Sequence, residues 1–421
     1  MKAPRLLGAA IALSAVLLSS CSGVAAPETS TSRGRETVIL VSLDGFRWDY
    51  PELHDAPTIR ALAGRGVRAE GLVPVFPTKT FPNHYSIVTG LYTESHGIVG
   101  NNMWDPEWKA RFSLGQREEV ENARWWEGEP IWVTAERQGV TAATYFWPGS
   151  EAPIGGVRPT YWKKFDDAVP GNDRIDEVLA WLDLEGDERP HLVTLYFSDV
   201  DSAGHRYGPE APETGEAVKR VDGYLARLVR GLEARGLLDE THLILTSDHG
   251  MAAMDPERVI VLEDYISVDD VQIVDLSVIA MLVPREGKED AVYSALRNAH
   301  PELTVVRKED VPDRLHYRDH RRITPLVGWS SPGWYIYPTH FQRDALKSRF
   351  SLGQHGFDNA AQDMRGLFVA AGPRLRSGLR HGLFQSVDVY GLIAEILDLE
   401  PAPNDGDRNA AADLLISEVS R

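Results

Sequence analysis

A chain of 421 residues with 43% hydrophobic and 25% charged residues has globular composition, with enough apolar content for one large core or two smaller ones. The net charge of −18 excludes a protein that grips nucleic-acid polymers through clustered Lys and Arg. Small anionic substrates then require local cations, which metal ions supply, and a single cysteine excludes an internal disulfide.

The first 21 residues, MKAPRLLGAAIALSAVLLSSC, join a basic start to an apolar run from Leu6 to Leu18 and then small residues, the pattern of an export signal. The run is too short and wrongly flanked for a transmembrane helix. Cys21, the only cysteine, ends Leu18-Ser19-Ser20-Cys21, which resembles a bacterial lipobox. That pattern implies cleavage before Cys21, lipid on the cysteine, and a protein anchored in the cell envelope facing the periplasm. The competing reading is a signal cleaved after Val24-Ala25-Ala26, which leaves a soluble periplasmic protein. Residues 22–36 are small, polar and turn-rich, the composition of a flexible tether. Residues 37–421 remain for one folded domain.

ETVILVSLDG opens that domain as a buried strand ending at Asp44-Gly45, and PTIRALAGRG follows with helical spacing. The strand-like GLVPVF leads into PTKTFPNHYSIVTG, where Pro82 places Thr80 at or beside a helix N-terminus. Free N–H groups and the positive dipole end favour an alkoxide or phosphate there, although a simple threonine cap explains the same spacing. Helical patterns follow at residues 174–184, 214–235 and 387–397. HLVTLYFSDVDSAGH runs from a strand into Asp201 and His205, THLILTSDHG from a strand into Asp248 and His249, and GLFVAAGP is a further buried strand. Strands alternating with helices predict an α/β fold, a mostly parallel sheet with helices on both faces. The stretch from about Val259 to Tyr337 reads differently: VQIVDLSV, AMLVP, LTVVR and WYIY as short strands and KEDAVYSALRNA as one helix, a small α+β insertion.

Ligands of open α/β sheets sit beyond the carboxyl ends of the strands, where Asp44, Asp201, Asp248 and His249 fall. An aspartate directly after a buried strand is costly unless its charge is compensated, and divalent cations compensate it. Asp201 and His205 are four apart, which brings both to one side of a helical turn, and His355 sits in the Gly-flanked SLGQHGFDN. Asp and His without Cys favour zinc, with manganese or a similar ion as the alternative.

VSLDGFRWDY, KTFPNHYSIVTGLYTESHGIVGN, DVDSAGHRYGP, TSDHGM and GQHGFDN together resemble the signature segments of the nucleotide pyrophosphatase/phosphodiesterase family of the alkaline phosphatase superfamily. The resemblance runs from about Val38 to VDVYGLIAEILDLEPAPNDG. It implies an alkaline-phosphatase-like fold and two Zn2+ per chain, one held by Asp201, His205 and His355, the other by Asp44, Asp248, His249 and Thr80. It further implies Thr80 as nucleophile, Asn101 as donor to a nonbridging phosphate oxygen, and Phe81 as a ring stacking on the nucleobase. Phe165 stands where the family commonly has tyrosine, so the ring is kept and the hydroxyl lost.

The implied activity is hydrolysis of nucleotide diesters and pyrophosphates to nucleoside monophosphates through a phospho-threonine. A choline-type phospholipid-headgroup diesterase on the same scaffold and a non-catalytic metal- or nucleotide-binding lipoprotein are the alternatives; the latter has no need of Thr80. No protein partner is inferable from the residues. His84 and His96 read as packing and hydrogen-bonding groups, and the RDHRR run, Arg318 to Arg322, as a solvated edge of the insertion.

Overall fold

The computed structural model describes Met1 and residues 36–416; Cys21 and nearly all of the signal and tether segments lie outside the described residues. The core of the fold is an eight-stranded sheet. Its spatial order is Leu379–Gln385, Val67–Val73, Phe368–Ala371, Thr241–Thr246, Thr37–Leu43, Leu192–Phe197, Ala142–Tyr145 and Tyr161–Lys163. Seven strands run one way, and Phe368–Ala371 alone is reversed, antiparallel to both neighbours.

Continuous apolar runs form the central strands because both faces are covered. In Thr37–Leu43, Val38 and Leu40 enter one core with Ile87, Val88, Ile131 and Val389, whereas Ile39, Val41 and Leu43 enter the other with Ile59, Ile175 and Val221. The helices over the first face are Thr80–Thr89, Ile131–Arg137 and Asp388–Ile396; over the second they are Pro57–Arg65, Gly171–Leu182 and Pro212–Ala234. The helices read at 57–66, 174–184, 214–235 and 387–397 thus form close to those bounds.

Residues 259–337 build a separate four-stranded antiparallel sheet, in the order Val271–Leu276, Ile279–Pro284, Leu326–Ser330, Leu303–Arg307, with its own core around Leu282, Leu296 and Leu326. The inner strand Leu326–Ser330 escapes a sequence reading because Gly328 interrupts its apolar run. Gly328 fits a close approach: a Cβ would sit 3.1 Å from the Thr304 carbonyl oxygen of the next strand. WYIY does not join this sheet. Its Tyr335–Tyr337 pairs in parallel with Val259–Val261.

The RDHRR run is a solvated edge only in part: Asp319 is exposed and Arg318 and Arg321 half-buried, whereas His320 and Arg322 are buried. Arg322 is fully buried, its Nε donating to Asp105 Oδ2 at 2.9 Å and its Nη1 to the carbonyls of both Gly97 and Trp125 at 2.8 Å. Trp108 and Trp125 lie 5.0 and 4.9 Å from its guanidinium carbon. Five donors in a fixed plane suit Arg to such a satisfied buried position. It anchors the segment between the strands Leu303–Arg307 and Leu326–Ser330 of the insertion to the Asn102–Asp105 strand.

Candidate active site

The carboxyl ends of the parallel strands converge on one cleft of about 340 Å³, lined among others by Asp44, Thr80, Phe81, Asn101, Phe165, Asp201, His205 and His355. Asp44 follows the strand Thr37–Leu43 directly. Gly45 takes φ +66°, and a Cβ there would lie 2.9 Å from Asp201 Cα, so only glycine lets this strand end approach the first turn of the helix Asp199–Tyr207. Its N–H donates to Asp248 Oδ1 at 3.2 Å, linking the ends of two adjacent strands.

Thr80 is the first residue of the helix Thr80–Thr89 and does not cap it; Lys79 holds the capping position, and no side-chain cap forms. The Thr80 hydroxyl instead points to His249, with Oγ1 3.4 Å from Nε2. The simple-cap reading therefore fails. Asn101 accepts the Phe81 N–H on Oδ1 at 3.0 Å, which leaves its amide NH2 for the cleft. Phe81 and Phe165 are both on the wall of the cleft, and Phe165 packs edge-on against Phe146 and Tyr196.

Ligand-capable atoms gather in overlapping groups. Those of Asp201, His205 and His355 lie within 4.8 Å of one another, as do those of Asp44, Asp201 and His249, and those of Asp44, His84 and Asp248. Asp201 thus belongs to two groups. His84 is drawn in as well, but its Nδ1 lies 2.9 Å from the Thr80 carbonyl and its Nε2 2.8 Å from Ser42 Oγ, so both nitrogens are engaged.

The other three histidines share one arrangement. Nδ1 of His205, His249 and His355 each donates to a backbone carbonyl, of Gly353, Gly250 and Thr78, at 2.8 Å. That bond sets the tautomer and leaves each Nε2 a lone pair facing the cluster, the usual support for a metal-binding imidazole. Nε2 of His205 lies 3.3 Å from Asp201 Oδ1, and Nε2 of His249 3.0 Å from Asp248 Oδ2.

The electrostatics call for added positive charge. Burial, then the neighbouring Asp248 and Asp201 carboxylates, push Asp44 well above the usual carboxylate range. Burial opposes ionisation of Asp248, but His249 and His84 outweigh it and hold that group well below its ordinary value. Burial, with His249, Lys79 and His205 nearby, holds His355 well below the usual imidazole range and hence neutral. Asp44 Oδ1, Asp201 Oδ1 and Asp248 Oδ2 are buried and accept no hydrogen bond of good geometry. Three orphaned carboxylate oxygens facing three imidazole lone pairs fit divalent cations.

The sequence reading missed Tyr196, the fifth residue of the strand Leu192–Phe197, whose buried hydroxyl donates to Asp44 Oδ2 at 2.6 Å. Its position near a strand end was the available signal. Also missed was an ion pair on the cleft wall between Arg117 and Glu151, whose Oε1 accepts the Phe165 N–H at 3.3 Å.

Residues 38–358 match the family model described as type I phosphodiesterase / nucleotide pyrophosphatase. The chain belongs to this family. It is a hydrolase of phosphodiester and pyrophosphate bonds within a metal-dependent family. It is 38% identical to ectonucleotide pyrophosphatase/phosphodiesterase family member 5 of Homo sapiens, over 92% of this chain and 80% of that protein. Against the bis(5'-adenosyl)-triphosphatase enpp4 of Mus musculus it is 37% identical over 92% and 83% of the two lengths. The structure of murine family member 5, in an inactive threonine-to-alanine form with AMP, superposes with a TM-score of 0.86 at 37% identity, covering 90% of this chain and all of that one. Among the described residues, no helix is long and apolar enough to cross a membrane.

Proposed function

We propose that this hydrolase cleaves nucleotide diesters and pyrophosphates to nucleoside monophosphates with Thr80 as nucleophile and two zinc ions. The observation that carries the reading is the Thr80 hydroxyl, freed from capping and aimed at His249 Nε2, which itself lies beside the unsatisfied oxygens of Asp44 and Asp248. Asp201, His205 and His355 would hold one ion, and Asp44, Asp248, His249 and Thr80 the other. Bound there, the ions would supply the positive charge that favours ionised threonine and stabilises the leaving oxygen.

The chain's own groups do the rest. Thr80 gives its hydroxyl proton to solvent, Oγ1 bonds to phosphorus as the opposite P–O bond to the leaving ester or phosphate oxygen breaks, and that group departs and takes up a proton from water, leaving a phospho-threonine. Asn101 donates its free amide N–H to a nonbridging oxygen. Phe81 and Phe165 face the cleft as rings for the base, a contribution of about 1–3 kcal/mol per stacked base. Water then cleaves the phospho-threonine and restores the hydroxyl.

The AMP held by the murine relative supports a nucleotide in the cleft. Among the residues assigned above to the phosphate, Asn101 contributes a neutral donor, which suits the lower charge of a diester. The substrate reading is tested by kcat/KM for a nucleoside diester against the matching monoester at fixed zinc and pH. A higher value for the diester supports it, and an equal or higher value for the monoester overturns it. Thr80→Ala, folded and metal-loaded, is expected to lose at least about 1000-fold in kcat; activity within tenfold of wild type would remove Thr80 as nucleophile.

Export follows from the leader, and a lipid at Cys21 would hold the enzyme at the bacterial envelope. Fractionation of Cys21→Ser tests this: release from membranes supports the anchor, and a wild-type protein already soluble refutes it.

A further inference from the structure

Lys79, directly before Thr80, has no part in the chemistry above, yet its side chain is buried, with 7% of the residue exposed. Buried lysines are rare unless paired. Its Nζ donates to Ser277 Oγ at 3.0 Å. Ser277 forms the bend between the strands Val271–Leu276 and Ile279–Pro284 of the small sheet. That bend is rigid: its N–H donates to Ile279 O at 3.0 Å, and its carbonyl accepts from Ile336 N at 2.6 Å.

On the way to Ser277 the lysine stem passes against Gly356, the residue after His355. Gly356 has φ +112°, and a Cβ there would fall 2.5 Å from Lys79 Cε. One side chain therefore touches the helix start that carries Thr80, the loop that carries His355, and the small sheet. A second tie runs beside it. Asn102, next to Asn101, donates Nδ2 to Asp275 Oδ1 at 3.2 Å, two residues before Ser277.

We propose that Lys79 is a positioning residue: by reaching Ser277 it sets the Thr80 helix start and the His355 loop against the small sheet, which makes that sheet a working part of the hydrolase. The inference rests on the reading of Thr80 as nucleophile. In-line attack tolerates little misplacement, since a shift of about 1 Å costs roughly 100-fold in rate. A side chain hydrogen-bonded to a bend that is itself held by two backbone hydrogen bonds resists such a shift better than a free helix end.

The test is a double-mutant cycle of Lys79→Met and Ser277→Ala in the full chain, with Thr80→Ala alongside. Ser277→Ala is expected to lower kcat for a nucleoside diester by about 10-fold, with KM changed less than about 3-fold and zinc content unchanged. The double variant is expected to be no slower than Lys79→Met alone, because both substitutions break one contact. A readout independent of activity is hydrogen–deuterium exchange in the chelator-treated protein, where Gly353–Phe357 is expected to exchange faster in Ser277→Ala while the strand Thr37–Leu43 is unchanged. Wild-type kcat and exchange in Ser277→Ala, or additive losses in the double variant, would overturn the proposal. If Lys79→Met does not fold, Ser277→Ala decides alone. An active Thr80→Ala would instead refute the nucleophile reading, an outcome separable from either result at Ser277.

Discussion

The two sheets of this molecule solve opposite problems. The eight-stranded sheet is buried on both faces, so its polar chemistry is expelled to the strand ends, where Asp44, Asp201, Asp248 and His249 meet. The four-stranded sheet places none of the candidate ligands; its chain instead supplies Ser277, Asp275 and Arg322, which hold neighbouring segments in place. Charge gathered without compensation marks the first region, and charge fully satisfied marks the second. Unsatisfied buried carboxylates point to a ligand, whereas a saturated buried guanidinium points to architecture.

The sharpest break of that contrast is Asp248→Asn at the strand end. It is expected to leave the fold intact and to cut both zinc content and turnover, the latter by at least about 1000-fold, measurable by elemental analysis and diester hydrolysis. Retained metal and turnover would place the centre elsewhere.

Arg322→Met should act in the reverse sense. Asp105 keeps Arg321 Nε at 2.9 Å, but the buried carbonyls of Gly97 and Trp125 lose their Arg322 donor, a loss of about 1–3 kcal/mol in denaturant unfolding, while turnover per folded molecule changes far less than in Asp248→Asn. Unchanged stability would return the RDHRR run to a surface role.

Tyr196→Phe probes the support of a candidate ligand without touching the ligand. Loss of its bond to Asp44 is expected to weaken metal affinity or activity by about 10–100-fold, read by competition with a chelator. Equal affinity would make Tyr196 a packing residue only.

The smallest effect lies away from both sheets' chemistry. Burial lowers His96 from 6.5 to about 3 and His242 from 6.5 to about 4. Both remain neutral in the fold while the unfolded chain takes up protons below pH 6.5. Their contribution is therefore intact above pH 6.5 and is lost progressively as the pH falls toward these lowered values. Tm measured from pH 7 to 4.5 is expected to fall, less steeply in His96→Gln, where the slope and not the absolute Tm is the readout.

Much of this protein was legible in one dimension because the signals are local. Apolar runs of strand length ending in Asp, helices between them, and Pro82 behind Thr80 are all written within a dozen residues, and strand ends of a parallel sheet share one edge whatever their order. The candidate ligands were therefore nameable before their geometry was known. Other features depend on contacts between distant residues, which local hydropathy does not encode. The reversal of Phe368–Ala371 follows from its pairing with Thr241–Thr246 and Val67–Val73. The Tyr196–Asp44 bond spans 152 residues and the Lys79–Ser277 bond 198. Arg322 looked solvated because its neighbours in sequence are charged, and it is buried because Asp105, Gly97 and Trp125 form its pocket. Composition and periodicity determine which residues tend to be inside or at a strand end; only the folded chain decides which buried polar atom finds a partner, and therefore which is left to bind a ligand.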